Sequence, residues 1–403
     1  MDQAFQDIDS HARVTHLPAD IFEARALLVP TERFIFDKVM RYLSHTFQSM
    51  GAGSARQGEI PKSIFQDFKG LKIAGLTLDL RYSGQGRSTL LHGLVTEAMV
   101  RMDVSLGMFF SMHHDLAMHT LALCGSEQQK NEFLPAMARM DRVGAFVLSE
   151  PDPISTLATG LRTSCWRRGD IWILNGVKQW NASAPVDDII VWARDVLDHQ
   201  MKGFILDRKT NGIKFASSAT QIFQRGLPNS VLELVDCPVA EECRLPHAHG
   251  LKDICLILEK SRAGIAWQAV GCACAIHEVA SAEVQAYGRP GAFRYDYDAA
   301  RALLDEMTSQ ITAMQTIVTR LSQLQDQDIL DDAQTSLAQL FCRASCKSVL
   351  SLAQDLMGAH GILISNRVAK FLGDVEALYS FEATRDMNHS IWNRTMTGMS
   401  AFT

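Results

Sequence analysis

Most of what would place this chain in a membrane, on a nucleic acid or in an oxidising compartment is missing. No stretch reaches the ~18 uninterrupted apolar residues that a bilayer-crossing helix needs. The opening residues Met1-Asp2-Gln3-Ala4-Phe5-Gln6-Asp7 are acidic and polar, where an export signal would be basic and then apolar. No membrane insertion is expected, and a cytoplasmic location is. Lysine and arginine form no run that could follow a phosphate backbone, and the net charge is −6, so nucleic acid is not an expected partner. The nine cysteines are an odd number, in a chain large enough not to need disulfide staples, and read as mostly buried free thiols. Glycine loops of the Walker or Rossmann kind are absent, as are repeats and low-complexity tracts. No metal site is expected either. Cys272 and Cys274, or Cys342 and Cys346, have no further His or Cys at ligand spacing, and in His113-His114-Asp115 adjacent helical side chains diverge by about 100°.

What is present is a large apolar fraction, 47% of 403 residues, enough for two or three packed subdomains. From about residue 18 to 140 apolar positions recur at helical spacing, broken by Gly51-Ala52-Gly53-Ser54 and by a turn at Tyr82-Ser83-Gly84-Gln85-Gly86. Between about 143 and 245 the texture changes to short β-branched runs at 143–148, 171–174, 188–193, 203–206 and 231–235, with turn signals at Arg168-Gly169-Asp170 and Asn211-Gly212. After Gly250 helical spacing returns. Its clearest stripe is Ala299, Ala300, Leu303, Leu304, Met307, Ile311, Met314, Ile317, Val318, Leu321 and Leu324. Other helices are expected over 251–285, over 330–357 ending at Gly358, and over 383–397. The expected fold class is mainly α with a central β domain: an N-terminal helical domain (1–142), a middle antiparallel β domain (143–246) and a C-terminal four-helix bundle (247–403).

Three short segments carry chemistry, and each has a plain structural reading beside it. Leu148-Ser149-Glu150-Pro151 is a strand running into a proline-terminated exit. Asn175-Gly176 reads as a tight turn ahead of Trp180, an aromatic that alone is more often core than platform. Phe381-Glu382-Ala383-Thr384-Arg385-Asp386 sets a carboxylate beside an aromatic just before a final helix, where an acid also favours the helix dipole.

Taken in this order, and with Leu123-Cys124-Gly125-Ser126-Glu127, Arg262-Ala263-Gly264-Ile265-Ala266-Trp267 and Asp355-Leu356-Met357-Gly358, these segments resemble the acyl-CoA dehydrogenase and acyl-CoA oxidase superfamily over nearly the whole chain. The nearest texture is the glutaryl-CoA dehydrogenase and short-chain acyl-CoA oxidase branch. The resemblance implies FAD, a homodimer or homotetramer, and a CoA or carrier-protein thioester as substrate. The electron acceptor it implies is an electron-transfer flavoprotein or molecular oxygen. It assigns Glu382 as the base that removes the α-proton, which suits a carboxylate whose pKa is raised by apolar neighbours such as Tyr379 and Phe381. Around the flavin it places Leu148, Ser149, Trp180, Ala182, Ser183, Asp355, Gly358, Thr384 and Asp386, and around the substrate Ser155, Ser111, Arg262 and Phe381.

The chain departs from the family pattern at four places. The arginine of the pyrophosphate-binding motif falls on Tyr287, leaving Arg289 or Arg294 to supply the charge. The hydroxyl expected to hydrogen-bond the flavin falls on Ala182. Ile154-Ser155-Thr156 replaces the usual Gly-Ser-Asp. The arginine that holds a glutaryl carboxylate falls on Gly107, which disfavours a glutaryl substrate. On the same helix Met108 to His114 forms either an acyl-pocket wall with a polar end or a core helix with two surface histidines. Two alternatives remain beside the thioester oxidoreductase: an oxygen-using enzyme, an oxidase or a monooxygenase of specialised metabolism, and a member that has lost FAD.

Overall fold

The computed structural model describes residues 20–57, 63–151, 160–182, 186–217, 229–287, 297–363, 366–380 and 385–397. Helices come first. α1 (Pro30–Gln57) is followed by α2 (Ser63–Leu71), α3 (Thr89–Met102), α4 (Val104–Ser111), α5 (His119–Cys124) and α6 (Glu127–Ala138). The expected break at Gly51–Ser54 does not occur: α1 continues through it to Gln57. The turn after Tyr82 is present, with Ser83 and Gly86 both at positive φ.

Between α4 and α5 the helix does not stop. It widens over Met112–Met118 into a π-helical stretch, the kind of local expansion that re-aims side chains. Local capping fixes the flanks. Ser88 caps α3 through the Leu91 N–H, and Asp103 caps α4 through the Ser105 N–H. Ser126 and Gln129 close a reciprocal capping box on α6.

The middle region is one sheet of β1 (Gly144–Val147), β2 (Ser164–Arg168), β3 (Ile171–Ala182), β4 (Asp188–Asp195), β5 (Met201–Asp207), β6 (Ile213–Ser217) and β7 (Asn229–Ala240). Its order is β1-β4-β2-β3-β7-β6, with β5 paired to β4. The sheet is mixed rather than wholly antiparallel, because β1 and β2 both run parallel to β4. Asn175-Gly176 is not a turn either. β3 runs straight through it, and the irregularity is a register shift against β7 between Leu174 and Gly176. Glycine is needed there because a Cβ at 176 would lie 2.5 Å from Thr163 Oγ1.

α7 (Leu251–Tyr287), α8 (Tyr297–Asp326), α9 (Asp332–Met357), α10 (Arg367–Ser380) and α11 (Arg385–Thr397) complete the chain. The α8 stripe is core as its period requires, with Met307, Ile311, Met314 and Val318 fully buried. α9 ends at Gly358 as expected, with φ 54° there. α10 is an additional helix. One apolar core runs from α1 and α3 through the inner face of the sheet to α7, α8, α9 and α10. All nine cysteines are free, and all are buried except the half-buried Cys243 and Cys255. No helix among the described residues is long and apolar enough to cross a membrane.

Candidate active site of a flavoenzyme

The strand exit after β1 is held by a buried ion pair. Lys178 on β3 is fully buried, and its Nζ donates to the Leu148 carbonyl (3.0 Å) and to the Glu150 carboxylate (2.9 Å). Glu150 also accepts the backbone N–H groups of Arg162 (2.7 Å) and Thr163 (2.9 Å), so the carboxylate is well supplied with donors. Burial lowers the Lys178 pKa to about 8, outweighing the pull of Glu150. A further backbone bond, from Gln179 N–H to the Ser149 carbonyl (2.9 Å), joins the exit to β3 one residue before Trp180. Ser149 is thereby exposed, and Leu148 half-buried, beside the strand end that carries Trp180 and Ala182.

The exit is thus an exposed serine at a strand end pinned to β3 by the buried ion pair and the Gln179 backbone bond. Trp180, Ala182 and Asp386 lie in β3 and α11, with their side chains outside the described residues. Glu382, Phe381, Thr384, Ser155, Ser183 and Arg289 lie wholly outside them. Asp355 and Gly358 are exposed at the end of α9, and a Cβ at Gly358 would meet nothing within 4 Å, so this end is open to a ligand.

A cavity of about 540 Å³ lies between α9, the end of α10 and α11. Arg343, Lys347, His389, Ser348 and Tyr379 line it, and the Lys347 ammonium sits 4.7 Å above the Tyr379 ring. The basic lining suits an anionic, phosphate-bearing ligand.

Two expected substrate contacts are built into helix packing. Ser111 is buried and accepts a hydrogen bond from Gln268 Nε2 of α7 (2.9 Å). Arg262 donates to Asp332 (2.9 Å) and Asn388 (3.1 Å), while Gln339 donates to the Arg262 carbonyl (2.7 Å), which ties α7 to α9 and α11. This network fixes the helix that begins just after Glu382. At Gly107 a Cβ would collide with Val100, so the absence of arginine there is fixed by the α3–α4 contact. Asp103 pairs with Lys370 (2.8 Å) and not with Arg101, whose partner is Glu278.

Sequence spacing set His113-His114-Asp115 aside as a cluster and gave no sign of His92. His113 and His114 are buried rather than on the surface. His113 turns to the Met137 carbonyl and the Gly144 N–H. His114 instead meets Asp115, Nδ1 to Oδ1 at 2.7 Å, and its ring stacks 4.2 Å from that of His92 on α3. Burial alone would raise the Asp115 carboxyl, but the neighbouring His92 and His114 imidazoles hold it well below the usual range. Burial, reinforced by His92, pushes His114 down to about 3. His92 lies 22 positions before His114, a distance that no local period reveals.

Comparison with known proteins agrees with this geometry. Residues 30–141 match the family description "Acyl-CoA dehydrogenase, N-terminal domain", and residues 248–397 match "Acyl-CoA dehydrogenase, C-terminal domain". The chain is 26% identical over 344 residues to a 3-(aryl)acrylate reductase of Clostridium sporogenes, covering 83% of this chain and 90% of that one. It is 23% identical over 339 residues to the caffeyl-CoA reductase-Etf complex subunit CarC of Acetobacterium woodii, covering 83% and 89%. Among solved structures, a glutaryl-CoA dehydrogenase from Mycobacterium smegmatis in complex with FADH2 superposes with a TM-score of 0.87 at 26% identity, over 96% of this chain and 100% of that one. Matched at both helical regions and superposed along nearly its full length, the chain belongs to the acyl-CoA dehydrogenase family and is an FAD flavoenzyme of that fold.

Proposed function

We propose that this protein moves hydrogen across the α,β-bond of an acyl thioester, carried on CoA or on a carrier protein, with Glu382 as the acid–base residue. The observation that carries the reading is the Lys178–Glu150 clamp, which holds the Ser149 exit rigidly against β3 just ahead of Trp180. A thioester acidifies its α-carbon, and in the oxidising direction the Glu382 carboxylate removes that proton. In the reducing direction, supported by relatives named as acrylate and caffeyl-CoA reductases, protonated Glu382 returns it. The chemistry that FAD supplies when bound is acceptance or donation of the hydride at the β-carbon. Ser149 would hydrogen-bond the ring and Trp180 would cover it. Arg289 would take the pyrophosphate charge that Tyr287 cannot.

The acyl group is one without a distal carboxylate held from α4, since the packing at Gly107 leaves no room for the arginine. An electron-transfer flavoprotein is the favoured redox partner, because one relative is named as part of a complex with Etf. Ala182, which removes a hydroxyl from beside the flavin, favours oxygen use as the second reading. Oxygen uptake during turnover distinguishes the two.

Glu382→Gln tests the assignment. Exchange of the substrate α-hydrogen with solvent deuterium should fall by ~100-fold or more, the scale of a lost general base, while flavin content stays unchanged. Undiminished exchange would remove Glu382 from the role.

A further inference from the structure

His92, His114 and Asp115 bring two imidazoles and a carboxylate to one point in the interior, between α3 and the π-helical stretch. His92 Nε2 and His114 Nδ1 each lie 2.7 Å from Asp115 Oδ1, and the ligand atoms of all three residues fall within 4.8 Å of one another. The residues are 7%, 1% and 5% exposed. The cluster is also short of partners. His92 Nδ1 and Asp115 Oδ2 have no hydrogen-bond partner. Each buried polar atom left in this state costs about 1–3 kcal/mol, a cost that a bound ligand would relieve at both.

Space for that ligand exists. The three residues border a cavity of about 260 Å³ that Thr77, Glu259 and Lys260 also line. Across from Asp115 stands Gly264, where any Cβ would lie 2.9 Å from Oδ2. The divergence of adjacent helical side chains is overcome here because the helix is widened over Met112–Met118, the Asp115 carboxylate folds back to His114, and the third group comes from another helix.

We propose that His92, His114 and Asp115 form a binding site for one divalent transition-metal ion of the zinc and cobalt class, with its remaining coordination position turned to the cavity. Imidazole with one carboxylate suits these ions, whereas magnesium and calcium demand oxygen ligands throughout. Tetrahedral bonds of ~2.0–2.2 Å put ligand atoms ~3.4 Å apart, so the two 2.7 Å contacts must each open by ~0.7 Å, within reach of side-chain rotation. Thr77 Oγ1, 3.2 Å from His114 Nε2, supplies the outer hydrogen bond that orients a ligating imidazole. The site does not depend on the thioester chemistry.

The test uses the full chain with its flavin, stripped with a chelator and titrated with Co²⁺ at neutral pH. One equivalent should bind, giving ligand-field bands to the red of the flavin and no thiolate charge-transfer band, and Zn²⁺ should displace it. His92→Gln and Asp115→Asn should each weaken binding by about 100-fold or more, at or beyond what outer-shell changes reach. A variant of the exposed pair His247 and His249 should bind as the wild type does. Circular dichroism and flavin content report whether each variant folds, and the two ligand variants sit on different helices, so one can stand for the other. The proposal is overturned by no saturable uptake, by thiolate ligation, or by uptake that a folded ligand variant leaves intact.

Discussion

Two buried charged clusters, one in the sheet and one among the helices, are built on opposite terms. At the strand exit Glu150 is 3% exposed and receives an ammonium and two backbone N–H groups, while Lys178 is fully buried with two acceptors. Around Asp115 two imidazoles crowd one carboxylate oxygen and leave the other oxygen without a donor. A satisfied buried pair locks geometry, which is what the proposed flavin-facing strand end requires. A short-handed one keeps capacity for a ligand, at a cost in stability.

Breaking the satisfied pair should have the largest effect. Lys178→Met leaves the Glu150 carboxylate buried without its counter-charge and should cost about 3–5 kcal/mol in urea unfolding, with loss of flavin from the folded fraction. A cost below about 1 kcal/mol, the range of an exposed pair, would show that the clamp does not govern the exit.

The same residue gives a pH signature. Its folded pKa is lowered to about 8 from the ordinary lysine value of 10.5, so between those values the unfolded chain holds a proton that the folded chain has released. Stability on this account rises with pH across that window and is unaffected by Lys178 above it. The stability difference between wild type and Lys178→Met should therefore grow by up to about 3 kcal/mol from pH 8 to 10.5, with thiol titrations cancelling in the difference. A flat difference would mean that the ammonium keeps its ordinary pKa in the fold.

The smallest effect is expected at the short-handed cluster. In metal-free protein Asp115→Asn removes the charged acceptor shared by His92 and His114 and should cost about 2 kcal/mol, measured by thermal unfolding. A cost equal to that of Lys178→Met would mean that the two clusters serve the fold alike.

The architecture was legible wherever burial followed a period. The α8 stripe, the end of α9 at Gly358 and the change to strands near 143 all follow from side-chain spacing. β2 and β6 escaped notice because Ser164-Cys165-Trp166-Arg167-Arg168 and Ile213-Lys214-Phe215-Ala216-Ser217 are short and mixed in polarity. Asn175-Gly176 misled because a bulge and a hairpin turn use the same residues. At the proposed site, Ser149 is picked out by its motif alone. The residue that anchors its strand could not, since Lys178 reaches Glu150 across 28 positions and reads locally as one more polar residue in a strand. The histidine cluster was hidden for the same reason and for a second one: a π-helical widening has no sequence period of its own.

The central claim is thioester redox chemistry on the Ser149–Trp180 platform with Glu382 as the base. It is tested most directly by following the visible flavin bands while acyl-CoA thioesters are added without air to the wild type and to Glu382→Gln. The account predicts bleaching of the wild type by at least one saturated thioester and none of the variant, both starting with equal flavin. Flavin bands that no thioester perturbs, or equal bleaching of the variant, would contradict it.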